Sequence, residues 1–343
     1  MTRRLVVDLH SPRTAWRVTP VAVRAIRDAL GRGWEVLEVD APAASDGDGG
    51  AGSPQSAAAA RGAEIYLGYG VPTGVVAAGR ASLRWAHSGT AGIGGSVPQL
   101  RGTGIVLTNS AGVHAEPIAD WVIAAVAYFA RGLDRMREFQ VAEQWAKAAF
   151  TDFAEPVREL RDLRMGILGL GGIGTAVATR ATALGMTVAG VRRRVERGGP
   201  PGARWVGGLD ALPRLAAEAD VLVIAAPRTA LTGAAVSRDV LAGLPPGAVV
   251  VNVSRGDLLD EAALLELLDN AGRLRGAALD VFAHEPLPPG HPFWRHPRVL
   301  VSPHAAGVTA RFWERETGLI VENIRRYLAG APLLNVVDLD AGY

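Results

Sequence analysis

The glycine-rich segment of residues 169–174 constrains the fold of this chain more than any other feature, because it stands between an apolar strand and an apolar helix. Residues 164–168 predict a buried strand, residues 175–184 a helix, and residues 186–191 a second strand. In such a unit the pattern G-x-G-x-x-G is typical of dinucleotide binding. Its glycines allow a tight turn, close approach of a pyrophosphate and close packing of helix on strand. The segment therefore predicts a Rossmann cofactor domain; a glycine-rich structural turn is the alternative interpretation.

The residues after the second strand predict which dinucleotide binds. NAD sites usually place Asp or Glu about 20 residues after the glycines, where the carboxylate holds the ribose 2′-hydroxyl. Here the strand is followed by Arg192, Arg193 and Arg194. A guanidinium pairs with a 2′-phosphate in two-point geometry, whereas a carboxylate would repel it. We therefore expect NADP to be preferred over NAD; a basic turn in solvent is the alternative interpretation.

Composition excludes several other classes of protein. The formal net charge of +2 is small for 343 residues and no basic stretch is interleaved with aromatic residues, so no nucleic acid partner is expected. Cysteine is absent and the seven histidines show no metal-ligand spacing, so we expect no metal site. No segment resembles a membrane span or a signal peptide. We therefore expect no membrane partner and a cytoplasmic location.

The order of predicted elements divides the chain into two domains. The first hundred residues alternate strands with helices, one helix starting at Thr19 and Pro20 and running to about Leu30. Residues 42–63 predict a loop that leads into a small helix. A helix over residues 311–328 has no strands of its own and is expected to pack back on the first domain. The expected fold is α/β with two doubly wound parallel sheets, a Rossmann cofactor domain (113–307) inserted into a flavodoxin-like substrate domain (1–112 and 308–343).

Three polar residues follow successive predicted strands of the second domain, at the edge where open α/β sheets bind ligands. Arg255 follows the strand at 248–253, Glu285 the strand at 277–281, and His304 the strand at 299–302. Beside a nicotinamide, this set suits hydride transfer to a 2-oxo acid. Arginine binds the substrate carboxylate at two points, histidine donates the proton, and the glutamate orients the imidazole and favours its charged form. Taken singly, each residue is equally consistent with a structural or surface role.

Segments around these residues resemble the signatures of the D-isomer-specific 2-hydroxyacid dehydrogenases. They are residues 251–256 (VNVSRG), 279–288 (LDVFAHEPLP) and 302–307 (SPHAAG), and residues 108–114 (TNSAGVH) resemble the family's entry into its interdomain helix. The likeness extends over almost the whole chain. It implies that Arg255, Glu285 and His304 are the catalytic residues, that the substrate lies between the domains, and that the chain forms a homodimer with a small 2-oxo or 2-hydroxy acid as its substrate.

The resemblance and the strand ends together define the expected binding residues. The resemblance implies that residues 88–92 offer backbone N–H groups to the substrate carboxylate and that Asp280 lies near the nicotinamide. The expected substrate-binding residues are Ser88, Gly89, Thr90, Ala91, Gly92, Arg255 and His304. The expected cofactor-binding residues are Gly169, Gly171, Gly172, Ile173, Gly174, Arg192, Arg193, Arg194, Pro227, Val253, Ser254, Arg255, Asp280, His304 and Ala306.

Arg192 stands where the NAD-using members of the family carry an acidic residue. In this respect the chain is similar to the glyoxylate and hydroxypyruvate reductases that take NADPH. We therefore expect an NADPH-dependent reductase of 2-oxo acids of the glyoxylate or hydroxypyruvate type, acting with D stereochemistry. Candidates to bind a second anionic group, such as a phosphate or phosphonate, are Arg13, Arg80 and Arg84; solvated surface charge is the alternative interpretation. Trp145 and Trp313 are candidates to close the site, Trp145 from a partner subunit; packing is the alternative for both.

Other functions stay open at this point. An NAD-dependent dehydrogenase of the phosphoglycerate type belongs to the same family. The formate dehydrogenases resemble it but carry glutamine where Glu285 stands, since a hydride donor without a proton to lose needs no acid–base pair. Some transcriptional corepressors resemble these dehydrogenases and keep much of the catalytic set. A nucleotide-sensing binding protein is therefore the alternative from a different functional class.

Overall fold

The structure is a computed structural model that describes residues 2–41, 52–152, 156–270 and 272–342. It divides into two compact units, one formed by residues 1–114 and 308–343 and the other by residues 115–307. Each unit contains one sheet, the strand pairs of both sheets are parallel, and helices alternate with strands along the chain. The predicted α/β class with two doubly wound parallel sheets is confirmed.

The sheet of the first unit has the strand order of flavodoxin-like folds. Its strands are β1 (Arg3–Asp8), β2 (Trp34–Glu38), β3 (Ile65–Gly68), β4 (Trp85–Ser88) and β5 (Val106–Asn109). They pair in the order β2-β1-β3-β4-β5, so the direction of winding changes between β1 and β3. Ligands of such sheets bind at the carboxyl ends of the strands near this switch point.

Helices cover both faces of this sheet. They are α1 (Pro20–Leu30), α2 (Pro54–Ala60), α3 (Thr73–Gly79) and α4 (Val97–Leu100), with α12 (Phe312–Leu328) from the end of the chain. The side chain of Thr19 accepts a hydrogen bond from the N–H of Ala22 at 3.1 Å, which confirms the predicted start of α1. Of the loop predicted over residues 42–63, residues 42–51 lie outside the described residues. Ile320 and Ile324 of α12 are fully buried in one cluster with residues of α1 and β1, because the helix has one apolar face.

The sheet of the second unit has seven strands in the Rossmann order with one strand added. The strands are β6 (Arg164–Leu168), β7 (Thr187–Val191), β8 (Ala203–Gly207), β9 (Val221–Ile224), β10 (Ala248–Asn252), β11 (Leu274–Leu279) and β12 (Val299–Val301). They pair in the order β8-β7-β6-β9-β10-β11-β12, so the switch point lies between β6 and β9. The sequence analysis did not predict β8, a short edge strand without full burial.

The second unit has one apolar core on each face of its sheet. The helices in chain order are α5 (Ala115–Ala130), α6 (Leu133–Val141), α7 (Ala148–Thr151), α8 (Gly172–Ala183), α9 (Leu212–Glu218), α10 (Arg238–Gly243) and α11 (Glu261–Asp269). Residues of α5 and α8 form one core cluster with the strands, and residues of α9, α10 and α11 form the other. Burial on both faces explains why the central strands are continuous apolar runs.

Across the part of the chain that the structure describes, none of the helices combines the length and the apolar character needed to cross a membrane.

Candidate active site

The loop after β6 holds its glycines in the conformation that the pattern predicts. Gly169 has a φ of +98°, and a Cβ there would lie 2.5 Å from backbone atoms of Ala226. A Cβ at Gly174 would lie 1.9 Å from the carbonyl oxygen of Gly169, so only glycine lets α8 pack this closely on the loop. A Cβ at Gly171 would meet no atom of the described residues within 4 Å. The backbone of Gly171 is therefore open to close approach by a ligand.

The first turn of α8 faces this open side of the loop. The helical hydrogen bonds begin at Thr175, whose N–H donates to the carbonyl of Gly171 at 2.9 Å. The preceding N–H groups, those of Gly172, Ile173 and Gly174, have no acceptor within the helix. Unpaired N–H groups at a helix start favour an anion. The residues of this turn therefore fit the diphosphate of a dinucleotide.

The basic segment after β7 begins beside the glycine turn. The N–H of Gly169 donates to the carbonyl of Val191 at 2.9 Å, which ties the ends of the two strands together. Arg192 follows directly, and its Nη1 donates to the carbonyl of Gly198 at 2.7 Å. Arg193 and Arg194 are exposed. Arg192 thus stands where NAD-specific sites carry a carboxylate, and two more arginines follow it.

The ends of β9 and β10 supply three more of the expected cofactor residues. Pro227 is exposed after β9, whereas Val253 and Ser254 are buried after β10. The hydroxyl of Ser254 donates a hydrogen bond to the carbonyl of Ala226. This bond joins the two strand ends next to the glycine turn, because β9 pairs with β6.

Arg255 leaves the end of β10 on a backbone that Asn252 holds in place. The Nδ2 of Asn252 donates to the carbonyl of Arg255 at 3.0 Å, and its Oδ1 accepts from the N–H of Ser254 at 3.1 Å. The guanidinium of Arg255 is exposed, and its Nη1 donates to the carbonyl of Ser254 at 2.6 Å. The arginine head is thereby available to a ligand at the carboxyl edge of the sheet.

Gly256 is a position whose importance sequence reasoning missed. A Cβ there would lie 1.8 Å from the carbonyl carbon of Phe282, so any other residue would force apart the loops after β10 and β11. This close approach brings Arg255 towards the loop that carries Glu285. No local signal marks the contact, because the two loops lie far apart in the sequence.

Glu285 and His304 form a hydrogen-bonded pair at this edge. The Nδ1 of His304 lies 2.7 Å from Oε2 of Glu285. Oε1 of Glu285 accepts from the N–H of Phe282 at 2.9 Å, which fixes the carboxylate. The side chain of His304 is 53% exposed, so its Nε2 is the nitrogen left for a ligand. A carboxylate that binds one imidazole nitrogen sets the orientation of the other.

The electrostatics of the pair favour an imidazolium facing a carboxylate. The hydrogen bond with Glu285 raises the pKa of His304, helped by the charge of Glu285 and opposed by burial and by Arg255. Burial by itself would raise the pKa of Glu285. Hydrogen bonds from His304 and from the N–H of Phe282, with the charges of His304 and Arg255, instead bring that pKa below its ordinary value. Arg255 acts on both groups, so the three side chains form one electrostatic cluster.

Asp280 holds the turn that carries His304. His304 has a φ of +53°, an uncommon conformation for a residue other than glycine. Oδ1 of Asp280 accepts from Ser302 Oγ at 2.6 Å, from the N–H of Ala305 at 2.7 Å and from the N–H of Ala306 at 3.0 Å. Burial raises the pKa of Asp280 despite these bonds. Asp280 therefore positions His304; cofactor contacts of Asp280 and Ala306 stay predictions.

In the first unit, two carbonyl groups of the loop after β4 accept hydrogen bonds from the last residue of β5 and from the residue that follows it. The N–H of Ser110 donates to the carbonyl of Thr90 at 3.1 Å, and Nδ2 of Asn109 donates to the carbonyl of Ala91 at 2.9 Å. In a trans peptide the C=O and the next N–H point in opposite directions. The N–H groups of Ala91 and Gly92 therefore point away from these partners, and no acceptor among the described residues binds them.

Two other expected residues of this loop, Ser88 and Gly89, have hydrogen-bond partners within the first unit. Ser88 is fully buried, and its Oγ accepts from the N–H of Gly70 at 3.1 Å. The N–H of Gly89 donates to the carbonyl of Gly68 at 2.8 Å. The loop thus offers the N–H groups of Ala91 and Gly92 to a ligand, while Ser88 and Gly89 fix its start.

The arginines considered for a second anionic group lie at opposite edges of the first sheet. Arg84 directly precedes β4, whereas the loop of residues 88–92 follows the same strand. Arg80 follows the end of α3, which runs back from the carboxyl edge to the amino edge. Arg13 follows β1 and lies at the carboxyl edge, on a loop in which Arg17 donates to the carbonyl of Ser11 at 3.0 Å. Of the three arginines, Arg13 alone lies at the edge where a substrate would bind.

The two candidate tryptophans differ in their surroundings. Trp313 is partly buried against an apolar cluster of the first unit, with its ring centroid 5.2 Å from that of Phe312. Packing therefore accounts for Trp313. Trp145 is 95% exposed, so packing against the residues that the structure describes does not account for it.

Comparison with known proteins assigns the family. The family model described as the NAD binding domain of D-isomer specific 2-hydroxyacid dehydrogenases matches residues 123–306. The chain belongs to this family. The dehydrogenase is 32% identical over 257 residues to the glyoxylate/hydroxypyruvate reductase A of Yersinia enterocolitica, a match that covers 75% of each chain. It is 34% identical over 224 residues to the reductase of the same name from Salmonella newport, covering 65% of this chain and 68% of the relative.

Solved structures of the family share the architecture of this dehydrogenase. A D-isomer specific 2-hydroxyacid dehydrogenase from Xanthobacter autotrophicus Py2, in complex with NADPH and MES, matches 100% of this chain with a TM-score of 0.77 and 30% identity; 99% of that chain is covered. An NADPH-dependent glyoxylate/hydroxypyruvate reductase from Sinorhizobium meliloti, in complex with NADP and sulfate, has a TM-score of 0.77 and 26% identity, with 99% of this chain and 100% of that chain covered. The protein is thus an oxidoreductase with a nicotinamide-dinucleotide binding domain.

Proposed function

We propose that this dehydrogenase uses NADPH to reduce a small 2-oxo acid, glyoxylate or hydroxypyruvate, to the D-2-hydroxy acid. The observation that carries the proposal is the 2.7 Å hydrogen bond between Glu285 and His304, next to Arg255 and at the carboxyl edge of the sheet that holds the glycine turn. A nicotinamide dinucleotide, when bound, supplies the hydride. The names of the relatives from Yersinia enterocolitica and Salmonella newport support the substrate class.

We assign the binding of the substrate carboxylate to Arg255. The planar guanidinium of Arg255 suits a carboxylate because it offers parallel N–H donors. In the first unit, the N–H groups of Ala91 and Gly92 are unpaired among the described residues, and we propose that they bind a carboxylate. Fixing the carboxylate holds the neighbouring carbonyl carbon in one orientation, which lowers the entropic part of the barrier.

His304 is proposed to donate the proton to the substrate oxygen as hydride reaches the carbonyl carbon. Negative charge develops on that oxygen, and an imidazolium stabilises it and then protonates it. Glu285 raises the pKa of His304, so more of the imidazole carries a proton at neutral pH. Asp280 contributes by holding the turn of His304 in its conformation of positive φ.

The pH dependence of reduction should report the pair directly. Because the proton donor is the imidazolium, kcat/KM for the 2-oxo acid is highest below the raised pKa of His304 and falls as the pH rises through it. Glu285→Gln removes the negative charge and replaces the carboxylate by a neutral, weaker amide acceptor, so the pKa of His304 is raised less. We expect the alkaline midpoint of the kcat/KM profile to move to lower pH. Glu266 is an exposed carboxylate paired with Arg238, and Glu266→Gln is the matched control, in which the midpoint should not move. An unmoved midpoint in Glu285→Gln argues against the pairing of Glu285 with His304.

Arg192 is proposed to bind the 2′-phosphate of NADPH, with Arg193 and Arg194 beside it. Loss of a hydrogen bond between charged groups costs about 1.5–3 kcal/mol, so Arg192→Asp should weaken NADPH binding about 10- to 100-fold and shift preference towards NADH. The measurement is the ratio of kcat/KM for the two cofactors. Arg161→Asp makes the same charge change at the amino edge of the sheet, before β6, and should leave the ratio unchanged. A constant ratio in Arg192→Asp places the phosphate contact elsewhere.

The test of the proposed function is oxidation of NADPH and NADH, followed by nicotinamide absorbance, against a panel of 2-oxo acids. The panel contains glyoxylate, hydroxypyruvate, phosphohydroxypyruvate and phosphonopyruvate. Turnover of the first two with NADPH supports the proposal. Preference for phosphohydroxypyruvate with NADH supports a dehydrogenase of the phosphoglycerate type. Tight cofactor binding without turnover of any panel member overturns glyoxylate and hydroxypyruvate as substrates; it favours first a specialised substrate outside the panel and second the nucleotide-sensing alternative.

Two accompanying proposals concern a second anion and assembly. If a phosphonate-bearing substrate is preferred, we propose that Arg13 binds its phosphonate group, because that arginine lies at the carboxyl edge of the first sheet.

We also propose a homodimer in the cytoplasm. Exposed apolar side chains on and after α6 support association: Met136 is 42% exposed, Val141 68% and Trp145 95%.

A further inference from the structure

A cleft at the amino edge of the first sheet has no part in the proposed chemistry. Its volume is about 340 Å³, a size that can hold a small ligand. Residues at or just before the starts of β1, β3 and β4 line it, among them Thr2, Arg3, Arg4, Glu64 and Arg84. Strands β3 and β4 have four residues each, so this amino-edge cleft lies about 13 Å from the carboxyl edge of the sheet. A ligand here would be separate from one at the loop of residues 88–92.

The register of the sheet places two of the arginines on either side of Glu64. The N–H of Glu64 donates to the carbonyl of Arg4 at 2.9 Å, and the N–H of Arg84 donates to the carbonyl of Glu64 at 2.9 Å. Neighbouring strands lie about 4.8 Å apart, so the backbones of Arg4 and Arg84 are about 10 Å apart. Because both residues line the same cleft, one anion between them can contact both side chains.

The carboxylate of Glu64 is bound by groups other than Arg84. Arg3 donates to it at two points, from Nε to Oε2 at 2.9 Å and from Nη2 to Oε1 at 2.6 Å. The hydroxyl of Tyr327 in α12 donates to Oε1 at 2.7 Å. Burial and this bond to Glu64 raise the pKa of Tyr327 to about 12, so the hydroxyl keeps its proton at neutral pH and stays a donor. Arg3, Glu64 and Tyr327 thus form a closed group on one wall of the cleft.

Arg84 carries the positive charge that is left over. Nε and Nη2 of Arg4 donate to Oε2 of Glu35 at 3.0 and 2.9 Å. The three arginines of the cleft therefore face two carboxylates, those of Glu64 and Glu35, which leaves one positive charge. Arg84 is exposed, and its guanidinium forms no hydrogen bond or ion pair with the residues that the structure describes. The hydrogen bonds from Arg3 chiefly lower the pKa of Glu64, and the charge of Arg84 adds to this effect, so Arg84 lies close to the pair.

The two other arginines are held in place before any ligand binds. Cζ of Arg3 lies 4.2 Å from the ring centroid of Trp34, over the face of the indole. Nη1 of Arg4 donates to the carbonyl of Arg61 at 3.0 Å, in addition to the bonds with Glu35. A guanidinium has five N–H groups, so both arginines keep donors for a ligand beyond these contacts. Side chains that are already ordered lose little conformational entropy on binding.

We propose that the amino-edge cleft binds a phosphate group, with Arg84 as the main contact and Arg3 and Arg4 as flanking donors. A planar guanidinium matches two phosphate oxygens, and a phosphate has further acceptor oxygens for neighbouring arginines. Inorganic phosphate and the phosphate of a nucleotide share this chemistry. The proposal is independent of the proposed reaction, because it concerns the opposite edge of the first sheet from the loop of residues 88–92.

Arg84→Ala tests the site by calorimetric titration of the whole chain with inorganic phosphate. NADPH and NADH are both present in excess, so that the dinucleotide site is filled. We expect the Kd of phosphate to rise about tenfold, the effect of losing one hydrogen bond between charged groups. Arg84→Lys keeps the charge and loses the two-point donor, so its Kd should lie between those of the wild type and Arg84→Ala. The control is Arg80→Ala, an exposed arginine after α3 that is not part of the cleft lining; its Kd should stay within about twofold of the wild type.

Thr2→Glu tests the same site without removing an arginine. The added carboxylate should repel phosphate and raise its Kd, and the effect should weaken as the salt concentration rises. AMP in place of phosphate distinguishes the two sources: tighter binding of AMP, weakened by the same substitutions, assigns a nucleotide, and otherwise the ligand is free phosphate. A folded Arg84→Ala with the wild-type Kd for phosphate overturns the inference, as does a wild type that binds no phosphate at millimolar concentration.

Discussion

Arg255→Ala should lower kcat/KM for the 2-oxo acid about 10³-fold. The guanidinium is exposed at the end of β10, and its one intramolecular bond in the described chain is to the carbonyl of Ser254. Two charge-assisted hydrogen bonds to a carboxylate contribute about 1.5–3 kcal/mol each, and about 4 kcal/mol in total corresponds to three orders of magnitude in rate. Because the side chain is exposed, its loss should leave the melting temperature almost unchanged. Steady-state kinetics and thermal unfolding of the same preparation measure both quantities.

The controls for this prediction separate charge from geometry. Arg255→Lys keeps the positive charge and loses the planar two-point donor, so it should recover only part of kcat/KM. Arg228→Ala removes an exposed arginine from the neighbouring loop, where it pairs with Asp257, and should retain most of the activity. An Arg255→Ala enzyme with wild-type kcat/KM assigns carboxylate binding to other groups.

His304→Asn should lower kcat by about 10²- to 10⁴-fold, the usual contribution of a general acid. Asparagine suits this position because it tolerates the positive φ of 53° better than alanine does. The Kd of NADPH should change far less than kcat, since the imidazole acts on the substrate oxygen. Single-turnover kinetics with saturating NADPH, together with cofactor titration, measure the two effects separately.

A second histidine of the same unit provides the control. His296 also contacts a carboxylate, its Nε2 lying 3.4 Å from Oδ1 of Asp269, and its Nδ1 accepts from the N–H of Arg298. His296→Asn should leave kcat unchanged. Wild-type turnover in His304→Asn removes His304 as the proton donor, and the hydrogen bond to Glu285 would then be structural.

Much of the fold could be predicted because its signals are local. The glycine pattern, the apolar strands before and after it and the cap at Thr19 depend on residues next to one another in the chain. A right-handed strand–helix–strand connection then leaves few possible sheet orders. The edge strand β8 was missed, because its partly exposed residues give no continuous apolar run.

The candidate site was predictable only in part. Residues at strand ends could be assigned to one edge, which brought Arg255, Glu285 and His304 together as candidates. Arg13, Arg80 and Arg84 stood as equal candidates in the sequence; the structure separates them, because Arg13 follows β1 whereas Arg84 directly precedes β4. Trp145 shows a similar limit: its exposure of 95% is a property of the folded unit.

The sequence by itself determined most of the elements, their parallel pairing and the chemical types available at the sheet edge, because these follow from short-range periodicity and chain connectivity. Only the tertiary structure decided which groups meet. His304 and Glu285 are 19 residues apart in sequence, and His87 and Glu316 are 229 apart, yet each pair lies within hydrogen-bond distance. The reason is physical: a hydrogen bond depends on tenths of an ångström between atoms, and packing of distant segments sets that distance.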